Sequence, residues 1–405
     1  MSARVRGDAR VAYLTDVEGR WDKLASFAEG SEDVSLAGDA LRLADGVTFV
    51  FGGDASDRGP HARRVLTTLL EAKRLYGERV VLLAGNRDIN KLRLARELTG
   101  APPPRTPEEL KSGPRGPLLR WILSHTMGAK EAFEHRRTEL GARGARHDDE
   151  AIVESFLEDV APGGLVREYL TRARLGYRSG ATLFVHGGVT AESLGRVPGR
   201  DAIARDVDAW VRELDAFHAE EVARFCAGHA PDALMTYQAP LAGTRWNQQS
   251  VVYGRVADEH ANPVLPERSV IRTLRESGVC RLVVGHTPSG DCPAIVREGS
   301  FELVLADNSH GRVERGSRVC ITDASVTIAG ETVLDDGTRA SVAFTAARGE
   351  EGSPLGLREK ASGRLVKSRL ASGEYLLFRG LPGYRVEQTS MEPDELATFA
   401  LEPAR

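Results

Sequence analysis

Six times along this chain an apolar run of strand character stops and gives way at once to a carboxylate, a carboxamide or an imidazole. Residues 11–15 lead into Asp16, 47–51 into Asp54, 80–84 into Asn86, 181–185 into His186, 281–284 into His286, and 301–306 into Asp307. The runs VTFVF (47–51) and VVLLA (80–84) are almost wholly apolar, as in a strand buried on both faces. Helical patterns lie between them, from Trp21 and from about Pro60, where proline suits a first turn. The alternation predicts an α/β architecture. In open α/β sheets ligand sites form outside the carboxyl ends of the strands, so Asp16, Asp54 and Asn86 are expected to converge on one rim. The same rule extends to the later strand ends.

The remainder of the 405 residues is organised around that core. A chain of this length calls for one large domain and one small one. The prolines of APPPRTP (101–107) reject both helix and central strand. Helical stretches follow, and residues 100–178 read as a helical insertion covering one end of the core. A long amphipathic helix is expected over 201–227. After residue 325, short β-prone runs alternate with Asp-Gly and Gly-rich turns, which predicts a small β-rich appendage over 325–405 that carries no chemistry motif.

Composition narrows the functional classes. A net charge of −4 gives no footprint for nucleic acid or anionic membrane, and the basic stretch 105–146 is mixed in sign like a solvated helical surface. No apolar run is long enough to cross a bilayer. The N-terminus MSARVRGDAR lacks the apolar stretch of a secretory signal, so a cytoplasmic location is expected. Cys226, Cys280, Cys292 and Cys320 form no CxxC pair and read as reduced thiols.

Collected in order, Asp16, Glu18, Asp54, Asn86, His186 and His286 combine hard oxygens with imidazoles. That donor set suits a pair of first-row metal ions in a site kept open for water and substrate. One carboxylate must bridge two ions lying within about 4 Å, and Asp54 is the natural candidate.

The blocks around these residues resemble those of the calcineurin-like metallophosphoesterases. GGDASDRG (52–59) is similar to the GD-x-x-DRG block of their phosphoprotein phosphatase branch. DVEG (16–19), GNRD (85–88), HGG (186–188) and VGHT (284–287) resemble the other blocks, in order and each at a strand end. The resemblance implies a β-sandwich core flanked by helices, over residues 1–324 with the insertion. It also implies that Asp16, Glu18 and Asp54 hold one divalent ion and that Asp54, Asn86, His186 and His286 hold a second. Arg58 would grip a phosphate oxygen, and Asp57 would orient the histidine that acts as general acid.

Two positions depart from the pattern. Glu18 stands where a histidine is expected, and its hard oxygen favours Mn²⁺, Mg²⁺ or iron over zinc. Arg87 stands where the acid histidine is expected; it stabilises negative charge but cannot give up a proton. The expected reaction is hydrolysis of a phosphate monoester or phosphoanhydride by a metal-bridging hydroxide, with Arg58 and Arg87 as substrate-binding groups. Phosphoanhydrides and activated esters suit a site without an acid, although His310 in ADNSHG (306–311) is a candidate substitute. Substrates of this kind include a phosphorylated small molecule, a nucleotide or a phosphoprotein. The alternatives are a dinucleoside polyphosphate or nucleotide hydrolase rather than a protein phosphatase, and a binding module that has lost turnover.

Plainer roles compete at several positions. Asp16 and Asn86 also favour turns, Glu18 also suits a helix start, and Arg87 could pair with Asp57 or Asp88. Asp307 could be an ordinary loop residue. His125, His135 and His147 of the insertion lack ligand spacing. Trp246, Asn247 and Tyr253 could line a pocket, and Arg245 or Arg255 could supply a further phosphate contact.

Overall fold

The computed structural model describes residues 10–204 and 206–405. Its core is a sandwich of two sheets. In the first, β1 (Arg10–Leu14), β4 (Val47–Phe51) and β5 (Val80–Leu82) run parallel, with Ala12 opposite Phe49 and Val50 opposite Val81. A small hairpin, β2 (Val34–Ala37) and β3 (Ala40–Leu43), stands apart from it. In the second, β7 (Thr182–Val185), β8 (Arg281–Val284) and β10 (Phe301–Leu305) are parallel, flanked by antiparallel β6 (Gly176–Ser179) and β9 (Ala294–Glu298).

Strand alternation explains why these runs carry so few polar residues. Val11, Tyr13, Val50 and Val81 point into the layer between the sheets, where they pack with Phe184, Val283, Ile295 and Val304. The rings of Tyr13 and Phe184 meet across it, with centroids 5.6 Å apart. The intervening residues face outward and are covered by helices. Ala12, Phe49 and Leu82 share a cluster with Leu24 and Phe27 of α1 (Trp21–Ala28) and Leu66 and Leu69 of α2 (Ala62–Tyr76). With both faces buried, each such side chain contributes about 1.5–3 kcal/mol, so a polar substitution on either parity disrupts the core.

The chain between the sheets is helical, as expected. After α3 (Asn86–Ile89) and α4 (Leu94–Glu97) come α5 (Glu108–Lys111), α6 (Arg115–His125), α7 (Ala132–Ala142), α8 (Asp149–Val160) and α9 (Leu165–Arg172). Leu119, Ile122, Phe133, Ile152 and Phe156 give this insertion its own apolar cluster. The long helix expected over 201–227 is shorter: α10 spans Val207–Cys226, because the Asp206 side chain accepts the Ala209 N–H and caps it there. Two further helices, α11 (Asp232–Tyr237) and α12 (Arg268–Glu276), follow, and α10 and α12 cover the outer face of the second sheet. No helix among the described residues is long and apolar enough to cross a membrane.

The β-rich C-terminal region is present, and its first strands continue the core. β11 (Arg318–Ile321) pairs antiparallel with β1, and β12 (Ser325–Val333) and β13 (Arg339–Ala347) extend that sheet outward. A third sheet, in the order β17-β16-β15-β14-β18, comprises β14 (Leu357–Glu359), β15 (Leu365–Arg369), β16 (Tyr375–Leu381), β17 (Arg385–Met391) and β18 (Leu401–Pro403). It docks on the segment that follows β8. Lys367 donates to the Ser289 carbonyl, and Gln388 donates to Asp291 at 2.6 Å.

His218, buried on α10 with no partner for Nε2 among the described residues, yields a stability prediction. Burial lowers its pKa from 6.5 to about 4, so the folded state resists a proton that the unfolded chain accepts. The stability is fully present above the unfolded value and is lost as pH falls through the folded one. Linkage puts the loss from this group at about 2 kcal/mol between pH 7 and pH 5. Asp215 on the same helix, pushed up to about 6 by burial, works in the opposite sense. Urea midpoints of wild type and His218→Leu at the two pH values isolate the histidine. The variant is expected to lose less stability on acidification, and equal slopes would sink the assignment.

Candidate metal centre

All six parallel strands end on one rim, and the side chains that follow them meet there. Asp16 and Glu18 follow β1, Asp54 follows β4, Asn86 opens α3 after β5, and His186, His286 and Asp307 follow β7, β8 and β10. Asp16, Glu18, Asp54, His186, His286 and Asp307 are buried. Backbone hydrogen bonds tie the loops together, from Asp16 to Gly53 (3.0 Å) and from Glu18 to Asp54 (3.0 Å).

The rim is held in strained backbone. Seven non-glycine residues among those described have positive φ, and five of them are Asp16 (52°), Glu18 (49°), Asp54 (56°), Asp57 (141°) and His286 (61°). Outliers of this kind persist only where the surroundings over-determine them, and they concentrate at functional sites. Glycines make the crowding possible: a β-carbon on Gly85 or Gly285 would fall onto the carboxylate of Asp54 or Asp16. Asp88 locks the arrangement, accepting the N–H groups of Asp54 (2.8 Å), Ala55 (2.9 Å) and Gly85 (2.9 Å). Burial, and then the charge of Asp54, push its carboxyl up to about 7.

One half of the centre is left needing positive charge. Ligand atoms of Asp54, His186 and His286 lie within 4.8 Å of one another. His186 Nδ1 is 2.8 Å from the Gly52 carbonyl, which only accepts, so that nitrogen carries the proton. In the neutral tautomer this leaves the lone pair on Nε2, which lies 3.4 Å from Asp54 Oδ1 and 3.3 Å from Asn86 Oδ1. His286 Nε2 is buried without a hydrogen-bond partner among the described residues. Burial, and then the positive charges of Arg255 and Arg87, push its pKa down, so the ring is neutral and free to donate its lone pair. Asp16 is driven well above the usual carboxylate range by burial and then by the charges of Asp307 and Asp54. Buried carboxylates repelling one another beside unprotonated imidazole nitrogens fit bound cations, and the donor types are those of divalent first-row ions.

The other half is neutralised by the chain itself. Glu18 Oε1 is ion-paired with Arg87, 2.7 Å from its Nε, and its Oε2 lies 3.2 Å from Arg58 Nη1. Arg87 also bonds Asp57 at 2.8 Å, while Lys91 holds the second oxygen of Asp57 at 2.9 Å. Burial opposes the charge on Arg87, but Glu18, Asp57 and Asp54 outweigh it and raise its pKa. The helical insertion completes this half: the carbonyls of Met127 and Gly128 accept from Arg87 (3.1 Å) and Arg58 (3.3 Å). Thus the carboxylate of Glu18 is turned toward the two arginines, and of the two partners weighed for Arg87 it takes Asp57 rather than Asp88.

His310 reaches the same edge, with Nε2 2.7 Å from Arg58 Nη1. Because a guanidinium only donates, this nitrogen accepts and has no proton to give. Burial and then Arg58 lower its pKa to about 4. Arg255 is close enough to depress His286, and its buried Nε has no partner among the described residues. Arg245 is exposed, and the Asn247 amide is used up on the carbonyls of Thr236 and Ala239. The Tyr253 ring packs against His286 with centroids 4.9 Å apart and the planes tilted by 55°. His125, His135 and His147 stay in the insertion. Four contributors gave no sequence signal of their role: the carbonyls of Met127 and Gly128, Lys91, and Tyr384, whose ring lies on His310.

A family model described as calcineurin-like phosphoesterase matches residues 9–290. Among solved structures, the chain is similar to a cold-active protein-tyrosine phosphatase of a psychrophilic Shewanella species, at 15% identity and a TM-score of 0.46 over 84% of this chain and 85% of that one. A protein serine/threonine phosphatase from Saccharomyces cerevisiae is 13% identical, with a TM-score of 0.40 over 86% of this chain and 82% of that one. A metallophosphoesterase from Sphaerobacter thermophilus is 10% identical, with a TM-score of 0.32 over 84% and 89%. No curated protein matches the chain.

Proposed function

The chain belongs to the calcineurin-like phosphoesterase family, and on that premise we propose that it hydrolyses phosphoanhydrides or phosphate esters with good leaving groups at the rim of its two sheets. The observation that carries this is the buried set of Asp54, His186 and His286, with an orphaned imidazole nitrogen beside buried carboxylates. Asp16 and Asp54 would hold one divalent ion and Asp54, Asn86, His186 and His286 a second, with Mn²⁺ best suited to the oxygen-rich set; Glu18, paired with Arg87 and Arg58, would join the first ion only through an oxygen turned away from them. When bound, such a pair supplies an activated water and Lewis-acid charge for in-line attack at phosphorus.

The chain's own residues do the rest. Arg58 sits at the rim with its side chain 25% exposed, enough to swing a guanidinium fork onto phosphoryl oxygens. Arg255 brings a second guanidinium that no carboxylate among the described residues holds. Arg87 is fixed by Glu18, Asp57 and the Met127 carbonyl, so it meets developing charge without reorganising. Asp88 keeps the Asp54 and Asn86 loops in register. None of these groups hands a proton to the leaving oxygen, which is why good leaving groups are favoured.

Hydrolysis of an aryl phosphate by metal-stripped protein, with Mn²⁺ added back, tests the reading. Activity is expected to be absent after stripping and to return with a metal titration that saturates near two ions per chain. Turnover unaffected by chelation, or silence with Mn²⁺, Mg²⁺, Fe²⁺ and Zn²⁺ alike, would overturn it.

A further inference from the structure

Tyr384 lies in the short 3₁₀ turn Pro382–Tyr384 that joins β16 to β17, far along the chain from the metal-ligand candidates. Three observations single it out. Its φ is 59°, a left-handed conformation that a residue with a β-carbon avoids unless something holds it. Its side chain fills no core and is 48% exposed. Its ring lies parallel to the His310 imidazole, with centroids 5.2 Å apart and an interplanar angle of 11°. His310 in turn meets Arg58 at 2.7 Å. Ring, imidazole and guanidinium thus form a ladder from solvent to the residue placed on the phosphoryl group.

On the phosphoesterase reading of the centre, we propose that Tyr384 and His310 form a stacking platform for a planar aromatic ring carried on the leaving group of the substrate. The imidazole is neutral because its Nε2 is spent on Arg58, so the platform offers π faces and apolar surface rather than charge. Such surfaces take an aromatic ring without regard to its hydrogen-bonding edge, whereas an aliphatic leaving group gains little from them. The third sheet thereby acquires a function, since it is the element that delivers Tyr384 to the rim. Anchorage of that sheet at Ser289 and Asp291, just after His286, keeps the turn in place. The ring itself has two natural sources, a nucleobase and a phenol, and the test separates them.

Equilibrium binding to Mn²⁺-loaded full-length protein is measured by calorimetry with four probes. Adenosine 5′-monophosphate is paired with ribose 5-phosphate, and O-phosphotyrosine with O-phosphoserine. Wild type is expected to prefer the aromatic member of at least one pair by about ten-fold, within the range that base–aromatic stacking supplies. Tyr384→Ala is expected to bring that ratio to about one, and Tyr384→Phe to keep it. Preference in the first pair identifies a nucleobase, and preference in the second a phenyl ring. No preference in wild type, no binding of either aromatic probe, or an aromatic preference that survives Tyr384→Ala overturns the platform. Because the readout is affinity, the two readings fail separately. Aromatic preference without hydrolysis removes only the hydrolase, and hydrolysis without preference removes only the platform.

Discussion

Replacing Asp54 with asparagine is expected to lower turnover by about a thousand-fold, the scale of losing one preorganised electrostatic element, while leaving the metal-free protein at least as stable as wild type. The two halves of this expectation share one cause. Asp54 is placed between both proposed ions, and its carboxylate faces His186 Nε2 at 3.4 Å and Arg87 Nε at 3.6 Å. Without ions it is a liability, because its charge adds to the burial that already raises Asp16 and Asp88. Asparagine has the same shape and keeps an oxygen for the Arg87 backbone N–H, now 2.9 Å from Oδ1. Its own N–H stays on Asp88. The substitution therefore removes charge without opening a cavity, which relieves repulsion in the metal-free state and removes the ligand in the loaded one. Thermal melts with and without Mn²⁺ read both. In wild type, metal at a hundred times its dissociation constant adds about 2.7 kcal/mol; in Asp54→Asn that gain is expected to shrink or vanish. A metal-free melting temperature well below wild type, or turnover within ten-fold of it at saturating Mn²⁺, would contradict the placement of Asp54 between the ions.

How much of this was legible beforehand follows from which interactions leave a local trace. The parallel strands were readable because burial on both faces forces runs such as VTFVF, and their polar termini were readable because strand ends are where such sheets place ligands. The start of α10 was misplaced because a pattern of apolar spacing carries no stop signal, whereas the Asp206 cap does. Strands β12 and β13 read as part of an appendage because their alternation shows that one face is buried and says nothing of which sheet they extend. At the centre, residue types announced the ligand candidates, but the orientation of Glu18 could not be read. It depends on two arginines, one 40 positions and the other 69 positions further on, meeting it in space. Tyr384 was invisible for the same reason. Its role depends on a turn in the third sheet reaching His310, and no local pattern records that.

The rate of the wild-type enzyme is expected to fall steeply as the pKa of the leaving group rises, and Arg87→His is expected to flatten that dependence. On the proposed reading Arg87 stands where a proton would be delivered, beside Asp57 at 2.8 Å, yet a guanidinium stays charged and gives none. General acid catalysis contributes about 10²- to 10⁴-fold when a proton must reach a poor leaving group. Aryl phosphates and phosphoanhydrides need little of it, and alkyl esters need nearly all. An imidazole at position 87 would lie next to the same Asp57 carboxylate, which can orient it and support its charged form. Arg87 and Glu18 are also paired with each other, with Glu18 Oε1 2.7 Å from Arg87 Nε. Removing the arginine frees Glu18 on one side while Arg58 still holds the other, at 3.2 Å, and Lys91 still neutralises Asp57, at 2.9 Å. Any general loss of stability or metal affinity in the variant acts on all substrates alike, so the ratio of kcat/KM for an aryl phosphate to that for an alkyl phosphate is the informative quantity. That ratio is expected to narrow by about a hundred-fold in Arg87→His, toward the middle of the acid-catalysis range. Arg87→Gln, which loses the charge and gains no acid, is expected to lower both rates and leave the ratio where it was. A wild-type rate indifferent to leaving-group pKa, or a ratio that moves equally in the two variants, would mean that the proton comes from elsewhere in the centre and that Arg87 does not set the choice of substrate.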